Sequence, residues 1–264
     1  METEWRLIDS GPCDAFYNMA LDEALATEVR KGAAPPTLRL YGWDRPSLTL
    51  GCFQETADIN IEYCRSHNIP IVRRPTGGRA ILHGDELTYS FSAKTDSGPF
   101  SHGLLDSYRR ISTAFSMALK KIGVSAESKK KREKDRVLGR SPLCFQSSSY
   151  GELLLENKKL VGSAQKRWSD GLLQQGSIPY LSHDEELKGI FGAEKTVSLT
   201  NCMKALRDAL PLLDEEGFRK AVVSSFEEAF GVRLLLSAPS QEESLLAGEL
   251  QRRKYLQTDW NFRL

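Results

Sequence analysis

Arg73-Arg74-Pro75-Thr76-Gly77-Gly78-Arg79-Ala80-Ile81-Leu82-His83 is the stretch on which the reading of this chain turns. Ile69 to Arg73 is apolar and β-branched and predicts a strand, which Pro75-Thr76-Gly77-Gly78 breaks. Paired glycines after a strand allow a bend that side chains would block, and let backbone approach a ligand closely. Arg73, Arg74 and Arg79 suit pairing with a carboxylate or phosphate. The same residues also fit a tight bend with surface arginines. The stretch is neither a Walker phosphate loop nor a GxGxxG fingerprint.

Working outward, the pattern is α+β rather than a regular βαβ repeat. On the N-terminal side, Trp5 to Asp9 predicts a strand, and Asp14 caps a helix running to about Arg30. Thr37 to Trp43 and Ser47 to Phe53 alternate around Asp-Arg-Pro and read as a hairpin, followed by a helix near Ile59 to His67. Beyond the bend, Ala80 to His83 and Leu87 to Ala93 read as a second hairpin turning at Gly84-Asp85. Leu104, Leu105, Tyr108, Ile111, Phe115, Ala118, Leu119 and Ile122 follow at helical spacing. Ser128 to Arg140 is a charge cluster, either a lure for an acidic partner or a solvated loop. A hairpin from Tyr150 to Gln165 and a strand from Gly171 to Ile178 come next. Helices are expected near 184–191, 202–210, 215–230 and 240–255, with a strand at Val232 to Leu236. One domain over residues 1–264 is expected, with a mostly helical portion from about 181.

That hairpin carries the second candidate for chemistry. Cys144 lies in a polar segment, Cys144-Phe-Gln-Ser-Ser-Ser, and Lys159 opens the return strand after the turn Glu156-Asn157-Lys158. A fixed ammonium near a thiol favours the thiolate, the nucleophilic form. Taken singly, a cysteine is more often a small buried apolar residue, a reading that suits Cys52 and Cys64 well. A lysine beside a turn is more often merely exposed. Gly162-Ser163-Ala164 places three small residues in mid-strand, which leaves room for a ligand or another backbone.

Composition narrows the classes. There are 36 Lys+Arg against 35 Asp+Glu, a net charge of +1, so bulk charge favours neither nucleic acid nor a membrane as partner. The five cysteines (Cys13, Cys52, Cys64, Cys144, Cys202) have no CxxC or CxxH spacing, which suits a reducing cytosol and argues against a disulfide framework or a zinc site. No stretch approaches the roughly 18 apolar residues of a spanning helix, and the first residues have no signal-peptide core, so a cytoplasmic protein is expected.

Arg73 to His83 with Glu86-Leu-Thr-Tyr-Ser90, together with Lys159-Leu-Val-Gly-Ser-Ala-Gln165, resemble the lipoate-protein ligase and biotin-protein ligase superfamily. Within it, Cys144-Phe-Gln-Ser-Ser-Ser-Tyr-Gly-Glu152 is similar to the segment of the cysteine-dependent octanoyltransferases of Gram-positive type. Trp5-Arg-Leu-Ile-Asp-Ser10, Asn18-Met-Ala-Leu-Asp-Glu-Ala24, Tyr41-Gly-Trp43 and Lys254-Tyr-Leu-Gln-Thr-Asp-Trp-Asn261 resemble the same group, so the likeness runs nearly end to end.

The resemblance implies mixed β-sheets with flanking helices, the catalytic-domain fold of that superfamily, around a tunnel for an eight-carbon acyl chain. It implies transfer of octanoyl from acyl carrier protein to a lysine of a lipoyl domain, commonly the glycine cleavage H protein, with no cofactor and no metal. Cys144 would take the acyl group, while Lys159 lowers the thiol pKa and orients the carbonyl. Arg73, Thr76, Gly77, Gly78, Arg79, Ala80, His83, Gly162, Ser163 and Ala164 would bind substrate. One departure stands out: the strand that commonly reads Gln-His-Gly-Ser-Ile has Gln174-Gln175-Gly176-Ser177-Ile178 here. An ATP-dependent lipoate-protein ligase shares the fold and the lysine but has no need of Cys144, and it usually carries a third glycine where Arg79 stands. An amidotransferase between lipoyl domains, and a lipoyl-domain binding module without catalysis, are the other readings.

Overall fold

A computed structural model describes residues 3–128 and 152–263 of the chain. Cys144 and the charged cluster from 129 onward lie outside the described residues.

Strand β1 (Thr3–Cys13) leads into helix α1 (Ala15–Lys31). Asp14 caps α1 by accepting from the N–H groups of Phe16 and Tyr17, and Gly32 ends it in the left-handed region at φ 77°. β2 (Thr37–Trp43), β3 (Ser47–Leu50), α2 (Ile61–Ser66), β4 (Ile71–Arg73), β5 (Ile81–His83) and β6 (Glu86–Lys94) follow, then α3 (Leu104–Lys121) and β7 (Glu127–Ser128). After the undescribed segment come β8 (Leu153–Leu155), β9 (Lys158–Arg167), β10 (Gly171–Pro179), α4 (Asp184–Phe191), α5 (Ala193–Thr200), α6 (Glu215–Phe230), β11 (Val232–Leu236), α7 (Gln241–Leu250) and α8 (Thr258–Asn261). The β8–β9 turn takes left-handed φ values at Glu156 (51°) and Asn157 (63°), the geometry of a two-residue hairpin.

These strands form two mixed sheets. The larger has the order β11-β1-β2-β6-β10-β9-β8-β7, and the smaller β4-β3-β5. In the first, β1 runs parallel to β11 and β2, while the other pairings are antiparallel. α3 and α6 cover one face of the large sheet with an aromatic core of Trp5, Tyr89, Phe91, Phe115 and Phe226. α1 and the small sheet close the other face, where Met19, Tyr41, Trp43 and Val72 meet.

Three expectations need correction. β3 does not pair with β2, and β5 does not pair with β6. β2 pairs instead with β6 in the large sheet, and β3 pairs with β4 and β5 in the small one. Residues 47–83 are thus an excursion that folds over the large sheet. The helix expected at 202–210 shrinks to a 3₁₀ turn at Leu206–Asp208, because Cys202 to Lys204 is used as extended backbone against Lys159.

Gly176 is fixed by packing across the sheet. It lies opposite Tyr89 in register, and a Cβ there would stand 2.2 Å from the Tyr89 ring. Gly176→Ala is expected to cost about 1–3 kcal/mol or more through overpacking, read as a lower urea midpoint at an unchanged m value.

Candidate active site

Between the two sheets lies a small cleft, lined mostly by apolar atoms. Met19 of α1, Trp43 of β2, His83 of β5, Ala164 of β9 and Gln175 of β10 reach it. Its floor is a buried polar network centred on Glu86. Ser177 Oγ donates to Glu86 Oε2 at 2.9 Å, Thr88 donates to Oε1, and His83 Nδ1 lies 2.8 Å from Oε1. Burial pushes the Glu86 carboxyl up. The adjacent His83 and the hydrogen bonds from His83, Thr88 and Ser177 outweigh that, and hold it below the ordinary carboxylate value. The other imidazole nitrogen, Nε2, meets Thr49 Oγ1 at 2.8 Å, and the ring stacks on Trp43 with centroids 4.1 Å apart. Both ring nitrogens of His83 are therefore engaged within the wall.

The bend after β4 sits at the edge of this cleft, and its residues divide sharply. Arg73 is fully buried, and its guanidinium donates to the carbonyls of Gly51, Gln54, Trp260, Asn261 and Arg263. Those bonds occupy its five donors, and they tie the 51–54 loop to the 260–263 segment. Arg74 is buried too, donating to Thr49 Oγ1 at 3.0 Å and to the carbonyls of Gly77 and Arg79 at 2.8 Å each. Thr76 is buried and donates to Gln175 Oε1 at 2.8 Å, while Arg79 is half-buried. Gly78 has φ 88° and needs to be glycine for that reason. A Cβ on Gly77 would meet nothing within 4 Å. Ala80 is buried and lines a neighbouring pocket with Leu82, Leu187 and Met203. The glycine that close approach demands is one the sequence reading did not choose. A Cβ on Gly51 would stand 1.8 Å from the Gly78 carbonyl oxygen.

Lys159 reaches its place through a bulge. Leu153 faces Val161 but Leu154 faces Lys159, so Leu160 is an extra residue in β9. Leu160 and Val161 both pack into the aromatic core, and alternation then brings Lys159 out on the opposite face, the face of Ala164. Its ammonium lies 2.6 Å from Glu152 Oε1, with the side chains 1% and 3% exposed. Cys202 and Met203 flank it, since the Lys159 N–H donates to the Cys202 carbonyl at 2.7 Å. Gly162 and Ala164 lie opposite Ser177 and Gln175. Ser163 lies opposite Gly176 and hydrogen-bonds the Tyr89 phenol on the helix-covered face.

Glu152 and the Asp22 cluster are the residues that sequence reasoning missed. Asp22 is wholly buried against Arg39 at 2.8 Å. Glu152 and Asp22 both lie in segments that resemble the family, and for Asp22 there was also the spacing of Asn18 and Asp22 at i, i+4 on a mostly apolar face of α1. Among the described residues Cys13, Cys52, Cys64 and Cys202 are free thiols, and burial pushes Cys64 up to about 11. No group of side chains among the described residues is arranged to hold a metal ion.

Residues 14–227 match the family profile described as lipoyl protein ligase A/B catalytic domain. Over their whole lengths, the chain is 35% identical to a protein of Halalkalibacterium halodurans named octanoyltransferase LipM. A protein of the same name from Kyrpidia tusciae is 37% identical, with 98% of each chain covered. Among solved structures, the fold is shared with a lipoate-protein ligase A bound with ATP, at TM-score 0.81 and 21% identity over 99% of each chain. It is shared equally with a bi-partite lipoate protein ligase of Thermoplasma acidophilum, solved in a study of that ligase and its E2 lipoyl domain, at TM-score 0.81, 21% identity and coverage of 98% and 96%.

Proposed function

The chain belongs to the lipoyl protein ligase A/B catalytic-domain family, and from that premise we propose that it transfers octanoyl groups to a lysine of a lipoyl domain in lipoate biosynthesis. The observation that carries this reading is the end-to-end identity with proteins named octanoyltransferase. The likeness to ligase structures, at 21% identity, speaks for the fold alone. No described helix is long and apolar enough to cross a membrane, and the reading takes the cytoplasm as the place of action. The donor is octanoyl-acyl carrier protein, and the acceptor is a lipoyl-domain protein such as the glycine cleavage H protein.

Cys144 is the nucleophile of this proposal. An unperturbed thiol is only a few per cent thiolate at neutral pH, and a neighbouring cation raises that fraction. Exchange of the octanoyl group between two thiols forms one thioester as another breaks, so the first step is close to balanced and depends on positioning. The acceptor amine then attacks the enzyme thioester, an amide forms, and the Cys144 thiolate leaves. That step runs downhill without ATP. The Lys159 ammonium supports it by stabilising the carbonyl oxyanion, a contribution of about 10²–10³ in rate for one good donor.

Incubation with octanoyl-acyl carrier protein in the absence of ATP is expected to add one octanoyl mass to the protein. Peptide mapping should place it on Cys144, and Cys144→Ser should abolish it. An adduct on Cys202, whose carbonyl receives the Lys159 N–H, would displace Cys144 from the nucleophile's role. No adduct, with ATP-dependent modification of a lipoyl domain, would sink the transferase reading in favour of a ligase.

A further inference from the structure

Gln175 stands at the centre of β10, in register with Ser90 of β6 on one side and Ala164 of β9 on the other. Its amide uses both ends. Nε2 donates to Asp22 Oδ2 at 2.7 Å, and Oε1 accepts from the Thr76 hydroxyl at 2.8 Å. The direction is forced, because an ionised carboxylate accepts only, so the NH₂ must face Asp22 and leave the carbonyl for Thr76. Asp22 itself is held by Arg39, Tyr41 and Ser90, at 2.8, 2.9 and 2.6 Å. Thr76 opens the glycine bend, and its carbonyl accepts from the Cys52 N–H at 2.9 Å. A continuous hydrogen-bonded path therefore runs from a buried ion pair at α1 to the bend at the cleft's edge.

We propose that Gln175 is a positioning residue, a non-titrating bridge that keeps the Thr76-Gly77-Gly78 bend seated at the cleft at every physiological pH. The inference rests on the acyl-transfer reading above. The groups facing this amide are Asp22 and Met19 of α1, Thr76 of the bend, Ser90 of β6 and Ala164 of β9, with Arg39 and Tyr41 of β2 behind Asp22. Asp22 is the only acidic group among them, and Arg39 balances its charge. An imidazole placed here would titrate near neutrality. The amide does not, and the bridge does not switch with pH.

The test compares Gln175→Glu, Gln175→Leu and Thr76→Val with the natural chain in steady-state octanoyl transfer between about pH 6 and pH 9. Unfolding midpoints are recorded over the same range. A protonated carboxyl at 175 reproduces the amide, donating to Asp22 and accepting from Thr76. Once ionised, it faces a second carboxylate and loses the donor. The rate of Gln175→Glu relative to the natural chain is expected to fall at least about tenfold from the acid to the alkaline end of that range. Gln175→Leu is expected to lower kcat about tenfold at every pH with KM for the carrier protein little changed, as for a misplaced rather than a missing contact. Thr76→Val should do the same, and the double variant should be no worse than either single one.

A flat pH ratio for Gln175→Glu, or additive effects of Gln175→Leu and Thr76→Val, overturns the proposal. If the 175 variants do not fold, a natural kcat in Thr76→Val overturns it by itself. If the natural chain transfers no octanoyl group, the functional reading fails first. The bridge is then judged on Gln175→Glu unfolding, whose deficit in midpoint must grow as pH rises. A deficit constant with pH overturns it.

Discussion

Lys159→Met is expected to slow octanoyl transfer by about 10²–10³-fold, as the loss of an oxyanion donor would. It is also expected to destabilise the chain by about 3–5 kcal/mol, because it removes one member of a buried ion pair. The two effects separate experimentally. Replacing both residues, Lys159→Met with Glu152→Leu, exchanges the whole buried pair for apolar side chains and is expected to recover much of the stability while leaving transfer as slow as in the single variant. Urea unfolding and single-turnover octanoylation are the measurements. Transfer recovering together with stability would mean that the lysine serves folding alone, and the catalytic role assigned to it would fall.

Gly51→Ala is the second large effect. The new Cβ would lie 1.8 Å from the Gly78 oxygen and 2.6 Å from its carbonyl carbon, and neither obstacle is a side chain that can rotate away. The bend must shift or the 51–54 loop must, and either movement strains the Cys52 N–H to Thr76 carbonyl bond. A misplacement of about 1 Å at a reacting site can cost about 10²-fold in rate, and that is the expected loss of transfer. Overpacking of this kind adds about 1–3 kcal/mol of destabilisation, or a few degrees in the melting temperature of a chain this long. Gly77→Ala is the control, since its Cβ has open space, and its melting temperature should stay close to that of the natural chain. Equal melting temperatures for the two variants would contradict this account of the bend.

The local signals in the sequence were read correctly wherever a short stretch decides its own structure. Asp14 capped α1 as expected, the Glu156-Asn157 turn joined β8 to β9, and the apolar spacing of 104–119 became α3. Pairing across the excursion at 47–83 was not legible. Asp44-Arg45-Pro46 has the composition of a hairpin turn, but Ser47–Leu50 is buried on both faces and belongs to another sheet. Alternation alone does not say which strand is the partner. The site followed the same rule. Lys159 was singled out by its motif, but its orientation depends on the bulge at Leu160 and its partner Glu152 on tertiary packing. Arg73 looked like an anion ligand because three arginines crowd a glycine bend. Its guanidinium instead serves carbonyls nearly 190 residues further along, which no local pattern encodes.

That arginine also sets the order in which the molecule can be completed. Loop 51–54 and the bend are made early in synthesis, yet the carbonyls that finish satisfying Arg73 belong to residues 260–263. Until those residues have been translated, the buried guanidinium lacks three of its acceptors, and leaving such donors unpaired in an apolar interior is costly. A chain that stops short of residue 260 leaves Arg73 without those three carbonyls, so the 51–54 loop and the bend lose their tie to the 260–263 segment.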